Sequence, residues 1–224
     1  MIFNINSIKA GAPTRGTVKL DDDTLKKYID FYASRLAAYG YDDKSGNRAM
    51  LARFCAKYFA NATPKGLALV GDTGRGKTLF FKIFSKLFGL RMYTAPELVE
   101  RWQRLGIDGR EDLFTELRGN AAPYAYPEGY ENCWKDIVID DVGTEPTLND
   151  FGTKLEVIDA IITRRVLEFE STQAMTFITC NLKLEGAGAD SIAGRYGARL
   201  ESRLHQICHV VALKGNDRRK SKGD

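Results

Sequence analysis

The chain has 224 residues and a formal net charge of +4, with 44% hydrophobic and 28% charged residues. That balance suits one soluble domain with a small appendage, and the mild basicity is by itself only a weak pointer to nucleic acid. No signal peptide and no apolar run near membrane-spanning length is present, which argues against secretion and membrane insertion and for a cytoplasmic protein. Cys55, Cys133, Cys180 and Cys208 are widely spaced with no C-x-x-C pair, so zinc and dithiol redox motifs are excluded.

In chain order, residues 1 to about 20 are turn-rich around Gly11, Pro13 and Gly16. Asp21 to Thr24 place acid at a helix start, and Leu25, Tyr28, Ile29, Tyr32 and Leu36 recur at helical spacing up to Gly40. This amphipathic helix either packs on the main domain or docks a partner. A second helix spans about Asn47 to Ala60, with Leu51, Phe54, Cys55, Tyr58 and Phe59 on its apolar side. Pro64-Lys65-Gly66 breaks it ahead of the first core strand, Leu67 to Val70. Further on, Arg91-Met92-Tyr93 form a short strand, and Ala95 to Leu105 a helix with Thr94 as cap and Pro96 in its first turn. Gly106 to Trp134 reads as a surface insertion: a short helix from Arg110 to Leu117, then an irregular loop with Tyr124, Tyr126 and Tyr130. Asp136 to Asp140 is a buried strand. Asp150 is expected to cap a long helix from about Phe151 to Phe169. Ala174 to Thr179 is the next strand, Ala198 to His205 a helix, and Ile207 to Leu213 the last strand. Residues 214 to 224 are a polar, basic tail. Strands alternating with helices imply an α/β fold with a parallel sheet covered on both faces.

Gly71-Asp72-Thr73-Gly74-Arg75-Gly76-Lys77-Thr78 fits G-x-x-x-x-G-K-[ST], the phosphate-binding loop. An apolar strand precedes it and the apolar run Leu79 to Phe84 follows it. The glycines let the backbone turn so that successive N–H groups face phosphate, and the following helix aims its positive end at the same charge. Lys77 is expected to reach the β- and γ-phosphates and Thr78 to ligate Mg²⁺. Downstream, the strand from Asp136 ends in Asp140-Asp141, at the strand end where open α/β sheets bind ligands. Asp140 is the candidate Mg²⁺ ligand and Asp141 the candidate base that polarises water. Asn181, after Phe177-Ile178-Thr179-Cys180, is placed to orient that water. Arg199 and Arg203 are four residues apart on one helix face, with Leu200 and Leu204 turned inward. Such a pair serves either a solvated, ion-paired surface or transition-state charge in a neighbouring subunit's site.

The order of these segments resembles the helicase-loader branch of AAA+ ATPases, the DnaC/DnaI/IstB-like family, over about residues 46 to 213. The segments that carry the likeness are Gly71 to Thr78, Asp140-Asp141-Val142-Gly143, Ile158 to Arg165 with its paired arginines, Thr179-Cys180-Asn181-Leu182, and Gly197 to Leu204. The resemblance implies a three-layer P-loop fold with a central parallel five-stranded sheet and no C-terminal helical lid. It divides the chain into an N-terminal helical extension (1–45), an ATPase core (46–213) and a basic tail (214–224). It implies ATP and Mg²⁺ as cofactors, Asn181 as sensor and Arg199 as trans-acting arginine with Arg203 second. It also implies a homo-oligomer when ATP-bound, single-stranded DNA as a ligand, and a hexameric replicative helicase as the partner to be loaded. IstB-like members instead assist transposition; a small-molecule kinase and a non-enzymatic ATP-dependent adaptor are the remaining alternatives. Asp141 stands where many AAA+ enzymes carry Glu, a base one methylene longer, so the expected hydrolysis is slow; the trans arginine makes it depend on assembly, and the resemblance adds dependence on DNA. For the DNA strand the candidates are Arg101, Arg104, Arg110 and Arg118, interleaved with Trp102 and the tyrosines. The tail's Lys214, Arg218, Arg219, Lys220 and Lys222 add phosphate contact, and Arg218 or Arg219 is also a candidate second sensor.

Overall fold

Helix α1 (Asp22–Ala38) begins where the Asp21 carboxylate accepts the Thr24 N–H at 2.8 Å. Asp22 and Asp23 complement its positive end, and Leu25, Tyr32 and Leu36 are buried. Helix α2 (Asn47–Phe59) packs against it, with Tyr28 and Phe59 meeting edge to face at 5.4 Å. The chain then runs β1 (Gly66–Val70), α3 (Lys77–Phe88), β2 (Arg91–Thr94), α4 (Ala95–Leu105), α5 (Arg110–Leu117) and β3 (Ile137–Val142). It continues through β4 (Leu148–Asp150), β5 (Thr153–Leu155), α6 (Val157–Thr172), β6 (Thr176–Cys180), α7 (Ile192–Tyr196), α8 (Ala198–Ile207) and β7 (Cys208–Ala212). The computed structural model describes residues 18–41, 46–106, 109–117, 136–150, 153–183, 186 and 188–215. The aromatic loop after Leu117, Arg118, and the tail residues Arg218, Arg219, Lys220 and Lys222 lie outside the described residues.

β1, β2, β3, β6 and β7 form one parallel five-stranded sheet in the order β2-β3-β6-β1-β7. β6 therefore separates β1 from β3, and the carboxyl ends of all three open on one rim. Alternate residues serve opposite faces. Leu67 and Leu69 of β1, Val138 of β3 and Phe177 of β6 join the layer of α1, α2 and α3. Ala68 and Val70, Ile137 and Ile139, and Ile178 and Cys180 join the layer of α4, α5, α6 and α8. The first layer is aromatic: Phe84 lies 4.8 Å from Phe88, 4.9 Å from Phe177 and 5.0 Å from Tyr58 between ring centroids. Truncating Phe84 to Ala would cost about 3–5 kcal/mol. Among the described residues no helix is long and apolar enough to cross a membrane.

Two features depart from the sequence expectation. The long helix does not start at Phe151 under an Asp150 cap. Leu148–Asp150 and Thr153–Leu155 pair as an antiparallel hairpin, and α6 begins at Val157. Its N-cap, Glu156, makes no capping bond from its side chain; Glu156 instead accepts the Thr147 hydroxyl at 2.9 Å. Asn149-Asp150-Phe151-Gly152 carries turn chemistry as strong as its capping chemistry, and strand pairing decides between them. Helix α7 is the second: Ser191 caps it by accepting the Gly194 N–H at 3.0 Å, while Gly194 and Gly197 obscure it in the sequence.

Of the paired arginines, Arg165 is wholly structural. It is 1% exposed and donates to Thr176 Oγ1 (2.9 Å), Leu117 O (3.1 Å) and Met175 O (2.8 Å), joining α5, α6 and the start of β6. At the start of β1, a Cβ on Gly66 would fall 1.9 Å from the Thr176 carbonyl oxygen, so the close approach of β1 and β6 needs glycine. Gly66→Ala should therefore lower unfolding free energy by at least about 3 kcal/mol in urea titration, beyond an ordinary core change.

Candidate nucleotide site

The phosphate loop joins β1 to α3. Gly71, Gly74 and Gly76 adopt φ of 106°, 83° and 89°, in the region that side chains resist. Gly76 caps α3 with no side-chain bond, so the first N–H groups of a 12-residue helix are presented to the loop. Lys77 is 5% exposed, and its ammonium donates to Gly71 O at 2.6 Å and Asp72 O at 2.8 Å. Burial holds its pKa below the ordinary lysine value, with the opposing pull of nearby groups including Asp141. Arg75 pairs with Asp72 and donates to Leu213 O at 2.8 Å, fastening the loop to the segment just after β7. Asn47 fastens the next residue: its amide donates to Lys214 O at 2.8 Å and accepts from Lys214 N at 3.2 Å.

Thr78, Asp140 and Thr179 meet at the rim. Asp140 Oδ1 accepts the Thr78 hydroxyl at 3.0 Å and the Thr179 hydroxyl at 2.6 Å, and Asp140 is 3% exposed. Thr179 Oγ1 in turn accepts the Asp141 N–H at 2.8 Å. In the residue order Thr179 stands out less than the neighbouring Asn181, and its signal is that of a hydroxyl residue near the carboxyl end of a buried strand. Among the described residues no group of three or more His, Cys, Asp or Glu side chains forms a metal cage. A hydroxyl and a carboxylate beside a phosphate loop fit Mg²⁺ nevertheless, because that ion takes one or two protein oxygens and keeps water and phosphate for the rest.

Asp141 lies at an irregularity in the β3–β6 register, between Ile139 and Val142, and holds φ at 56°. A bulge with left-handed backbone re-aims a side chain out of a strand, and Asp tolerates it better than most residues. The turn behind it is closed by Thr144, whose N–H and hydroxyl donate to Asp141 O at 3.2 and 2.7 Å. Asn181 follows β6 on the same rim and is half-buried. Thus the residues expected to serve phosphate, cation and water come together at the ends of β1, β3 and β6.

The two arginines of α8 differ. Arg199, in the first turn, is exposed. Arg203 bonds inward to Thr163 Oγ1 and, at 3.3 Å, to Asp159 of α6. The α4 and α5 candidates are largely committed to their own chain. Arg101 pairs bidentately with Glu116, which also holds the Glu116 carboxyl below its usual pKa, and Arg110 stacks 4.8 Å over Trp102. Trp102 is 5% exposed and belongs to the core, so it is no stacking platform for a base. Arg104 is exposed, 3.8 Å from Glu100.

No protein-family model and no curated protein sequence matches the chain. Among solved structures, a DnaI structure superposes with a TM-score of 0.56 at 19% identity, covering 80% of this chain and 90% of that one. A primosome component from Streptococcus pyogenes serotype M3 follows at TM-score 0.45 and 21% identity, covering 79% and 84%. AMPPCP-bound DnaA from Aquifex aeolicus follows at TM-score 0.49 and 14% identity, covering 81% and 52%. The chain has a DnaI-like fold: a P-loop α/β sandwich with the five-stranded parallel sheet described above.

Thr179→Val keeps the shape but removes both bonds that Thr179 makes. Mg²⁺-dependent nucleotide binding, followed with a fluorescent ATP analogue, should then need about tenfold more Mg²⁺ for half-saturation, the equivalent of one charge-assisted hydrogen bond.

Proposed function

We propose that the chain is a Mg²⁺-dependent AAA+ ATPase that loads or remodels a hexameric replicative helicase on single-stranded DNA. The observation that carries this reading is a complete cis cradle combined with an exposed Arg199. Gly71 to Thr78 grip the triphosphate, with Lys77 on the β- and γ-phosphates. Thr78 and Asp140 hold the cation, which when bound neutralises charge developing between the terminal phosphates. Asp141 accepts the proton of the attacking water, and Asn181 orients that water. Arg199 is exposed in the first turn of α8, and from an adjacent protomer it completes the pocket. Arg203 stays bonded to α6 of its own protomer and holds α8 against it. The exposed Arg104, with Arg118 and the tail, contributes DNA contact.

The N-terminal helices supply the partner face. Phe31 and Phe59 are each 53% exposed, bracket Tyr32, and lie on α1 and α2 away from the nucleotide rim. Exposed rings clustered in this way are what an interface anchor requires.

In phosphate-release assays, Lys77→Ala should abolish nucleotide binding. Arg199→Ala should leave binding intact and lower DNA-stimulated turnover by roughly 10³-fold. An equal loss with Arg203→Ala and none with Arg199→Ala would transfer the trans role to the second arginine. Turnover indifferent to single-stranded DNA would favour a small-molecule kinase, and tight binding without turnover beside the helicase a non-enzymatic adaptor. Co-purification with the replicative helicase should be lost in the Phe31→Ser, Phe59→Ser double variant while ATP binding is unchanged; capture of a transposase instead would move the protein to the transposition branch.

A further inference from the structure

Glu145 is 3% exposed, and the reading above gives it no task. Its carboxylate accepts the Gly143 N–H at 2.8 Å, the Tyr196 hydroxyl, and Arg195 at 3.3 Å. Arg195 reaches past it to the backbone, donating to Gly143 O at 2.6 Å and to Glu145 O. Burial, and then the Glu145 charge, push the Tyr196 phenol well above its ordinary pKa, so it remains a donor. The bonds of Arg195 and Tyr196 join α7 to the turn that follows Asp141, and the Gly143–Glu145 bond closes the turn on itself. That turn is sharp: Asp141 and Gly143 both have positive φ, and a Cβ on Gly143 would meet Leu182 at 2.8 Å. Directly after Tyr196, α7 passes through the single residue Gly197 into α8, whose first turn carries Arg199. A buried, charge-assisted network of this kind moves as one body, since breaking it strands charge in a low-dielectric interior.

We infer that Glu145 is a positioning residue that couples the two sites served by one protomer. Through Arg195 and Tyr196 it locks the turn bearing Asp141, which acts on the protomer's own nucleotide, to the helix bearing Arg199, which acts on its neighbour's. The place of the Asp141 turn thereby fixes the place of Arg199 at the adjacent site. The inference rests on the proposed roles of Asp141 and Arg199.

Subunit doping tests it. Wild-type protein is mixed with a hydrolysis-dead Asp141→Asn dopant, and phosphate release is followed with single-stranded DNA present. The same is done with dopants carrying Glu145→Gln or Tyr196→Phe in addition to Asp141→Asn. Tyr196→Phe keeps the ring and removes only the hydroxyl, so it carries the test if Glu145→Gln unfolds. Coupling predicts that the doubly substituted dopant depresses turnover of wild-type neighbours at least threefold more than Asp141→Asn alone. The dopant carrying Tyr196→Phe, which strands no charge, should match the Asp141→Asn dopant in ATP affinity, which a general loss of folding would lower as well. Identical inhibition by the single and double dopants overturns the coupling. A dopant carrying Asp141→Asn with Arg199→Ala separates the two readings: if it too inhibits no more than Asp141→Asn, the trans arginine itself is wrong, whatever Glu145 does.

Discussion

One carboxylate oxygen organises the nucleotide rim. Asp140 Oδ1 receives hydroxyls from α3 and from β6, and so ties the end of the phosphate loop to two strands that β1 does not itself carry. A buried carboxylate is tolerated only when its oxygens are bonded. The need to satisfy Asp140 therefore draws Thr78 and Thr179 to it, and Thr179 passes the constraint on to the backbone of Asp141. The left-handed kink that turns Asp141 out of β3 is held by this bond on one side and by Thr144 on the other. Asp140 and Asp141 are thus adjacent in sequence yet held by different bonds, one through its carboxylate and the other through its backbone.

The phosphate loop is braced from a second direction. Arg75 grips Leu213 O and Asn47 grips both backbone groups of Lys214, so the segment after β7 lies between the loop and the start of α2. The N-terminal helices are accordingly continuous with the core: α1 and α2 share one aromatic layer with α3 and the sheet. A partner seated on Phe31 and Phe59 would act on a layer that also contains Phe80, Phe81 and Phe84 of the helix leading out of the phosphate loop.

The arginines show how little a charge pattern alone decides. Arg101, Arg110, Arg165 and Arg203 resemble Arg104 and Arg199 in the sequence. In the fold Arg101 answers Glu116, Arg110 covers Trp102, Arg165 is sealed among three acceptors, and Arg203 reaches Asp159. None of these partners lies at the three- or four-residue spacing of a helix face, so no local spacing rule reveals the commitment. The short α7 and the β4–β5 hairpin were missed for a related reason: at Gly194 and at Asn149 to Gly152 local propensity is indifferent, and pairing or packing chooses.

The phosphate loop, the flanking strand and helix, the Asp140-Asp141 strand end and most helix bounds were legible from residue order. They depend on local physics: glycines where φ must be positive, caps before apolar periodicity, and buried strands that read as unbroken apolar runs. Strand order, the joining of Thr179 to Asp140, the inward turn of Arg203 and the Glu145–Arg195–Tyr196 lock were not. These are contacts between residues about 40 to 50 positions apart, as the intervals of 39, 44, 50 and 51 show, and they exist only once β6 is inserted between β1 and β3 and α8 is laid on α6. Until the sheet closes, nothing along the chain distinguishes a hydroxyl or carboxylate that will be buried beside a partner from one that will face water.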